Sequence, residues 1–293
     1  MSAQILDGKA VASAIRAALQ ADIAAVRRAR GTAPKLAIVT CSTDASAGAY
    51  LRAKLKAAGE SGLLAEAYPC PGGDKPIAAL LKLIAHLGSD ESVDGIIVEQ
   101  PLPKEYDLPE VIFSAIPPTK DVEGVTASNY GRFFLCKTAG DIAASAIAPC
   151  TAAAMIRLLE ETGIETAGRQ AVVVGRSEIV GRPAAHFLTA LDATVTLCHS
   201  RTADLAAHVG RADILFTCLG RADFIKGGWI KPGAVVIDAG MNRLGSAWVG
   251  DVEFAAAAER ASFITPVPGG VGPVTTAVVL ANTVRAARRR FAA

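Results

Sequence analysis

The chain has 293 residues, of which 51% are hydrophobic and 20% charged, with a formal net charge of +2. A chain of this length has a prior of roughly two domains and can bury a substantial core. The near-neutral balance gives no electrostatic case for nucleic acid or an anionic membrane, so a small molecule is the expected partner.

The N-terminal run Met1-Ser2-Ala3-Gln4-Ile5-Leu6-Asp7-Gly8-Lys9 has charges where a signal peptide needs its apolar region, and the chain is read as cytoplasmic. No uncharged apolar run reaches the roughly 18 residues of a membrane span. The six cysteines (41, 70, 136, 150, 198, 218) form no C-x-x-C pair and the four histidines no H-E-x-x-H, so neither zinc nor a disulfide framework is expected. Cys198 and Cys218 lie in apolar runs and read most simply as core.

In chain order, Val11, Ile15, Leu19, Ile23 and Val26 recur at helical spacing, and Lys35 to Thr40 reads as a buried strand. A helix over 46–60, a strand over 63–68, a turn over 69–73, a helix over 75–87 and a strand over 95–98 follow. Residues 101 to 124 are rich in proline and charge, which suits a long loop with one short helix. A helix over 151–161, opening on a Thr cap, leads to a second series: strand 171–174, helix 180–190, strand 194–198, helix 202–209, and strands 212–218 and 234–238. The alternation predicts parallel sheets in two α/β units. The segment Ile264 to Pro273 then opens a last helix ending in the basic run Arg285 to Arg290.

The apolar run Ala171 to Val174 stops at Gly175 and restarts as a helix near Gly181, reading as strand, tight turn, helix. Glycine lets the backbone turn close to a ligand, and amides at a helix start bind anions. Five residues separate the two glycines, however, so the G-x-G-x-x-G fingerprint is absent and an ordinary βα turn would read the same way. The next strand ends in His199-Ser200-Arg201-Thr202, where an NAD-binding unit would place a carboxylate for the ribose hydroxyls. Hydroxyls and a guanidinium suit instead the 2′-phosphate of NADP, with Arg176 able to close on it from the first turn. The alternative is that both arginines are solvated loop charges.

These residues, together with Leu6-Asp7-Gly8-Lys9, Tyr50-x-x-x-Lys54, Pro101-Leu102-Pro103, Lys120-Asp121-Val122-Glu123-Gly124, Val236 to Arg243 and Pro266 to Pro273, resemble the bifunctional methylenetetrahydrofolate dehydrogenase/methenyltetrahydrofolate cyclohydrolase family over nearly the full chain. The resemblance implies an α/β folate domain (1–147, with the last helix 274–293 returning to it), a Rossmann-like NADP domain (148–273), a cleft between them, and a homodimer. It implies NADP-dependent oxidation of 5,10-methylenetetrahydrofolate, followed by hydrolysis to 10-formyltetrahydrofolate, with no metal. The implied cofactor contacts are Gly175, Arg176, Ser177, Val180, Gly181, Ser200, Arg201, Cys218, Met241 and Thr275. Those to the tetrahydrofolate derivative are Tyr50, Lys54, Gln100, Pro101, Leu102, Glu123, Pro268, Gly269 and Gly270, with Lys54 assigned to the hydrolytic step. Tyr50 and Lys54 are four apart and share one helix face, although such a pair is more often a solvated surface.

The departures from the family pattern fall on the folate side. Glu99 stands where the family has the Gln that partners the catalytic lysine, and a carboxylate there would hold Lys54 in an ion pair. Gln100 cannot replace it, because successive strand residues face opposite sides. Glu123 replaces the aspartate that grips the pterin edge, and Ser42 and Ala47 replace a usual glycine and serine. Catalytic weight thus falls on Lys54, Tyr50, Glu99 and Glu123, and weakened or absent cyclohydrolase activity is expected. Two other readings stay open: an NADP oxidoreductase for a different small substrate, and a non-catalytic folate or nucleotide sensor.

Overall fold

Apolar runs of four to six residues set the architecture in the computed structural model, which describes residues 2–41 and 45–290. The strands are β1 (Gln4–Ile5), β2 (Lys35–Thr40), β3 (Leu64–Pro69), β4 (Gly95–Val98), β5 (Gln170–Val174), β6 (Thr194–Cys198), β7 (Ile214–Thr217), β8 (Val235–Asp238), β9 (Asn242–Leu244), β10 (Ala247–Val249) and β11 (Phe263–Ile264). The described residues divide into two compact units, one from 2–13 with 134–275 and the other from 14–133 with 276–290.

In the unit holding residues 14–133, β2, β3 and β4 form a parallel sheet in the order β3-β2-β4. Every residue of β4 is buried, as expected of a parallel strand covered on both faces. Its core joins Ala37, Val39, Ile96 and Val98 to Leu80, Ile84 and Leu87 of the helix Pro76–Ser89. The end of the C-terminal helix Val271–Arg289 closes this unit: Thr283 is fully buried beside Gly95, and Asn282 donates to the Val122 carbonyl.

The other unit carries a parallel sheet in the order β1-β11-β8-β7-β5-β6 and a separate β9–β10 hairpin. Val172 and Val174 of β5, Leu215 of β7 and Val236 of β8 enter one apolar core. The two-residue strand β1 pairs with β11, which explains why the first residues join this unit and not the folate half assigned to residues 1–147. Residues 134–147 join it as well.

Two expectations are corrected. The helix expected to open on a Thr cap is Cys150–Glu160, its N-cap position is Pro149, and Thr151 lies in its first turn. A disulfide joins Cys41 and Cys70, with Cα atoms 4.7 Å apart, where none was expected. The cause is register: Thr40 of β2 is the partner of Pro69 of β3, so the next residue on each strand arrives at the same edge, and Cys70 N donates to Thr40 O. Twenty-nine positions of sequence separate the pair, and linear spacing holds no sign of it.

Candidate active site

In the unit of β2–β4, the C-terminal edge of the sheet places the chemistry. Beyond β4, Glu99 keeps strand-like pairing, its amide donating to Val39 O. Its carboxylate receives Lys54 Nζ at 2.7 Å, and the two side chains are 9% and 21% exposed, so water screens the pair only partly. The expected ion pair is therefore present. Lys54 projects from the helix Ala45–Ser61, which also carries Tyr50. The Tyr50 and Ala47 side chains and Ser42 lie outside the described residues. Gln100 and Pro101 are exposed, while Leu102 packs on the apolar core. Alternation thus turns Glu99, and not Gln100, toward the lysine.

Glu123 sits in a turn built by Asp121, a residue the sequence motif contained without revealing its work. One Asp121 oxygen accepts from the amides of Glu123, Gly124 and Val125, and the other from Thr126 N, Thr126 Oγ1 and Asn129 Nδ2. An aspartate bonding the amides just after it is a common turn device, and the following Gly124, at φ +72°, is the signal that could have found it. Lys120 in the same motif turns away: its buried ammonium donates to the carbonyls of Leu87 and Asp90, and burial lowers its pKa. Glu123 is half-buried. That burial pushes its pKa up to about 7, against the pull of Lys54, with Asp121 and Glu99 adding to the rise.

In the other unit, β5 ends at Gly175, whose φ of +128° disfavours any side chain. A Cβ there would lie 2.5 Å from both the carbonyl oxygen and the sulfur of Cys218. Gly181 begins the helix Gly181–Ala190, and a Cβ on it would lie 2.0 Å from the Gly175 carbonyl oxygen. The wide glycine spacing is thus explained by one turn folding back on itself. No side chain caps the start of this helix, although Gly181 N makes a long contact to Ser177 Oγ, at 3.4 Å. This arrangement suits an anion, since early helix amides lack intrahelical acceptors.

Val180 stands at the N-cap position and Arg176 is exposed beside it. After β6, His199 N donates to Thr202 Oγ1 and Arg201 N to His199 Nδ1, and Ser200 and Arg201 stand at an exposed tip. Cys218 is half-buried, and its thiol points to Val174 O; burial, with Asp251 and Asp238 nearby, pushes its pKa up to about 12. Met241 lies 3.9 Å from where a Gly272 side chain would begin, and Thr275 Oγ1 donates to Val271 O. Gly269 has φ +111°, and a Cβ on Gly270 would strike Pro266 O at 2.6 Å; Pro268 is exposed. Gly8 in turn has room for no side chain against Gly270 O. Much of the glycine content here is required by the chain's own packing.

One unit with an anion-ready glycine turn on a parallel sheet, and another with a lysine paired to a carboxylate at a sheet edge, define a two-unit α/β enzyme with a dinucleotide-binding domain. Residues 6–123 match the tetrahydrofolate dehydrogenase/cyclohydrolase catalytic domain, and residues 149–291 match the NAD(P)-binding domain of the same family. The chain belongs to the tetrahydrofolate dehydrogenase/cyclohydrolase family. It is 50% identical over 291 residues to Bifunctional protein FolD 2 of Myxococcus xanthus, covering 99% of this chain and 97% of that one. The crystal structure of the Campylobacter jejuni bifunctional enzyme FolD is similar at a TM-score of 0.91 and 36% identity, covering 99% of this chain and all of that one. The Trypanosoma brucei enzyme, solved with NADP cofactor and an inhibitor, is similar at the same score and identity, with full coverage of both chains.

Proposed function

We propose that the protein oxidises 5,10-methylenetetrahydrofolate with NADP and hydrolyses the methenyl product slowly. The observation that carries this reading is the 2.7 Å ion pair between Lys54 and Glu99. The lysine assigned to hydrolysis is retained, but its ammonium donates to a carboxylate, and it must leave that partner before it can serve a water or a tetrahedral intermediate. Breaking a partly buried pair leaves one charge uncompensated, so the arrangement resists that step.

NADP, when bound, accepts the hydride from the methylene carbon, leaving a methenyl cation that the adjacent folate nitrogens stabilise. The protein's part in that step is to hold donor and acceptor in contact, which needs no acid or base. The loss of a freely placed lysine therefore falls on the second step. NADP is favoured over NAD because Ser200 and Arg201 follow β6 where a carboxylate would otherwise hold the ribose. Glu123, placed by the Asp121 turn, holds the pterin edge in our reading. Tyr50, Gln100, Pro101, Leu102, Pro268, Gly269 and Gly270 complete the folate contacts, and Gly175, Arg176, Ser177, Val180, Gly181, Cys218, Met241 and Thr275 those to the nucleotide. We propose that the protein acts as a homodimer in the cytoplasm.

Absorbance of NADPH and of the methenyl cation, followed together from methylenetetrahydrofolate, tests the reading. Both should accumulate. NADPH without methenyl build-up would show fast hydrolysis and overturn the argument from the ion pair, and no NADPH would overturn the assigned oxidation.

A further inference from the structure

Two aspartates the folate and nucleotide contacts do not use lie at the centre of the nucleotide unit. Asp238, at the end of β8, and Asp251, just beyond β10, are 3% and 0% exposed. Asp251 collects donors from two separate segments: the amides of Leu219, Gly220 and Arg221 in the loop after β7, and Asn242 Nδ2 at the start of β9. Asp238 takes Thr217 Oγ1 and Gly240 N on one oxygen, both at 2.8 Å, and Val252 N on the other at 2.9 Å. The backbone is shaped around both carboxylates. A Cβ on Gly240 would lie 2.4 Å from Asp251 Oδ1, and one on Gly250 would lie 2.0 Å from Asp238 Oδ2.

The segments tied together are those that abut the nucleotide contacts. The Leu219–Arg221 amides continue directly from Cys218, whose carbonyl and sulfur wall the Gly175 turn. Gly240 and Asn242, one held by each aspartate, flank Met241, which lies against Gly272. A buried carboxylate that satisfies several amides at once fixes a loop more firmly than separate neutral contacts, because charge-assisted bonds are the stronger ones. We infer that Asp251, backed by Asp238, is a positioning residue for NADP. It touches no ligand, and it sets the Cys218–Arg221 loop and the Met241 segment at the spacing the nucleotide requires. This inference rests on the nucleotide site proposed above.

The test compares Asp251→Ala, Asp251→Asn and Asn242→Ala with the unaltered protein in steady-state oxidation of methylenetetrahydrofolate. Dissociation constants for NADP and for a tetrahydrofolate analogue are measured separately by titration. Asp251→Ala is expected to raise the KM and Kd for NADP at least tenfold, with kcat and analogue affinity changed less than threefold. Asp251→Asn keeps one carbonyl acceptor and should recover part of the loss. Asn242→Ala removes one donor and leaves both carboxylates, so it should fold even where Asp251→Ala does not, and should raise KM for NADP about threefold. NADP constants within twofold of the unaltered protein in Asn242→Ala and in any folded Asp251 variant would overturn the proposal. So would an equal loss of NADP and analogue affinity, which marks general destabilisation. Failure of the unaltered protein to bind NADP at all would refute the site reading instead.

Discussion

In the nucleotide unit the proposed site is made of backbone: Gly175 and Gly181 press one turn onto itself, and Gly8 and Gly270 press another, with van der Waals limits tighter than any side chain allows. In the folate unit the proposed site is made of charge: Lys54 paired to Glu99, and a half-buried Glu123 whose place is set by Asp121. A backbone site is all or nothing, since an added methyl meets a carbonyl that cannot move without the strand behind it. A charged site is graded, since each substitution changes one electrostatic interaction and leaves the main chain where it was. The departures that the family resemblance led us to expect, Glu99 and Glu123, fall in the second kind, where retuning is possible without loss of the fold.

The largest effect is expected of Gly181→Ala. Its new Cβ would stand 2.0 Å from Gly175 O, a backbone atom, so the helix start must withdraw from the turn. NADP affinity should fall at least a hundredfold by titration, while a folate analogue binds within threefold of normal. A milder outcome would show that the turn yields, and that backbone and charge are not separate kinds of site. Next in size is Arg201→Ala, on the exposed tip after β6. Losing one charge-assisted phosphate contact at about 1.5 to 3 kcal/mol corresponds to roughly ten- to a hundredfold in KM for NADP. KM for NAD should stay within twofold, and an equal rise for both cofactors would remove the arginine from the 2′-phosphate.

In the charged site, Glu99→Gln keeps the shape beside Lys54 and removes the carboxylate charge. Hydrolysis of methenyltetrahydrofolate should rise about tenfold, a gain of roughly 1.4 kcal/mol in transition-state stabilisation, while the dehydrogenase rate changes less than threefold. Unchanged hydrolysis would mean the ion pair does not restrain Lys54.

Legibility in the sequence follows the same division. Strands such as Val235–Asp238 were readable because parallel strands are continuous apolar runs. The strands β1, β9, β10 and β11 were not, since two or three residues carry no periodicity. The short helices Ala127–Leu135, Ala139–Ser145 and Phe254–Ala258 were also missed. The glycine turn was visible as composition, but its reason, contact with Cys218 forty-three positions on, was not. Lys54 and Glu99 became a pair through the family resemblance plus strand alternation. Asp238 and Asp251 stood in plain view with no sign that they share a cluster, because hydrogen bonds across 14 to 32 positions leave no local pattern.

The smallest expected effect is a pH dependence of stability from Glu123. Its folded pKa is raised from 4.5 to about 7 by burial, so between those values the folded chain binds more protons than the unfolded one. Stability then falls as pH rises: the cost is absent below the unfolded pKa, grows through pH 5 to 7, and is complete above about 7. At about 1.4 kcal/mol per pKa unit, the ceiling is on the order of 3 kcal/mol. Glu123→Gln cannot ionise, so its stability relative to the unaltered protein should increase from pH 5 to pH 8 by about 1 to 3 kcal/mol in urea unfolding. Asp238, whose pKa burial and Asp251 raise to about 6, contributes a slope of the same sign to both proteins and cancels in the difference. A pH-independent difference would mean that Glu123 is as solvated as an ordinary surface carboxylate. The folate site would then lose the half-buried carboxylate that sets it apart from the backbone site of the nucleotide unit.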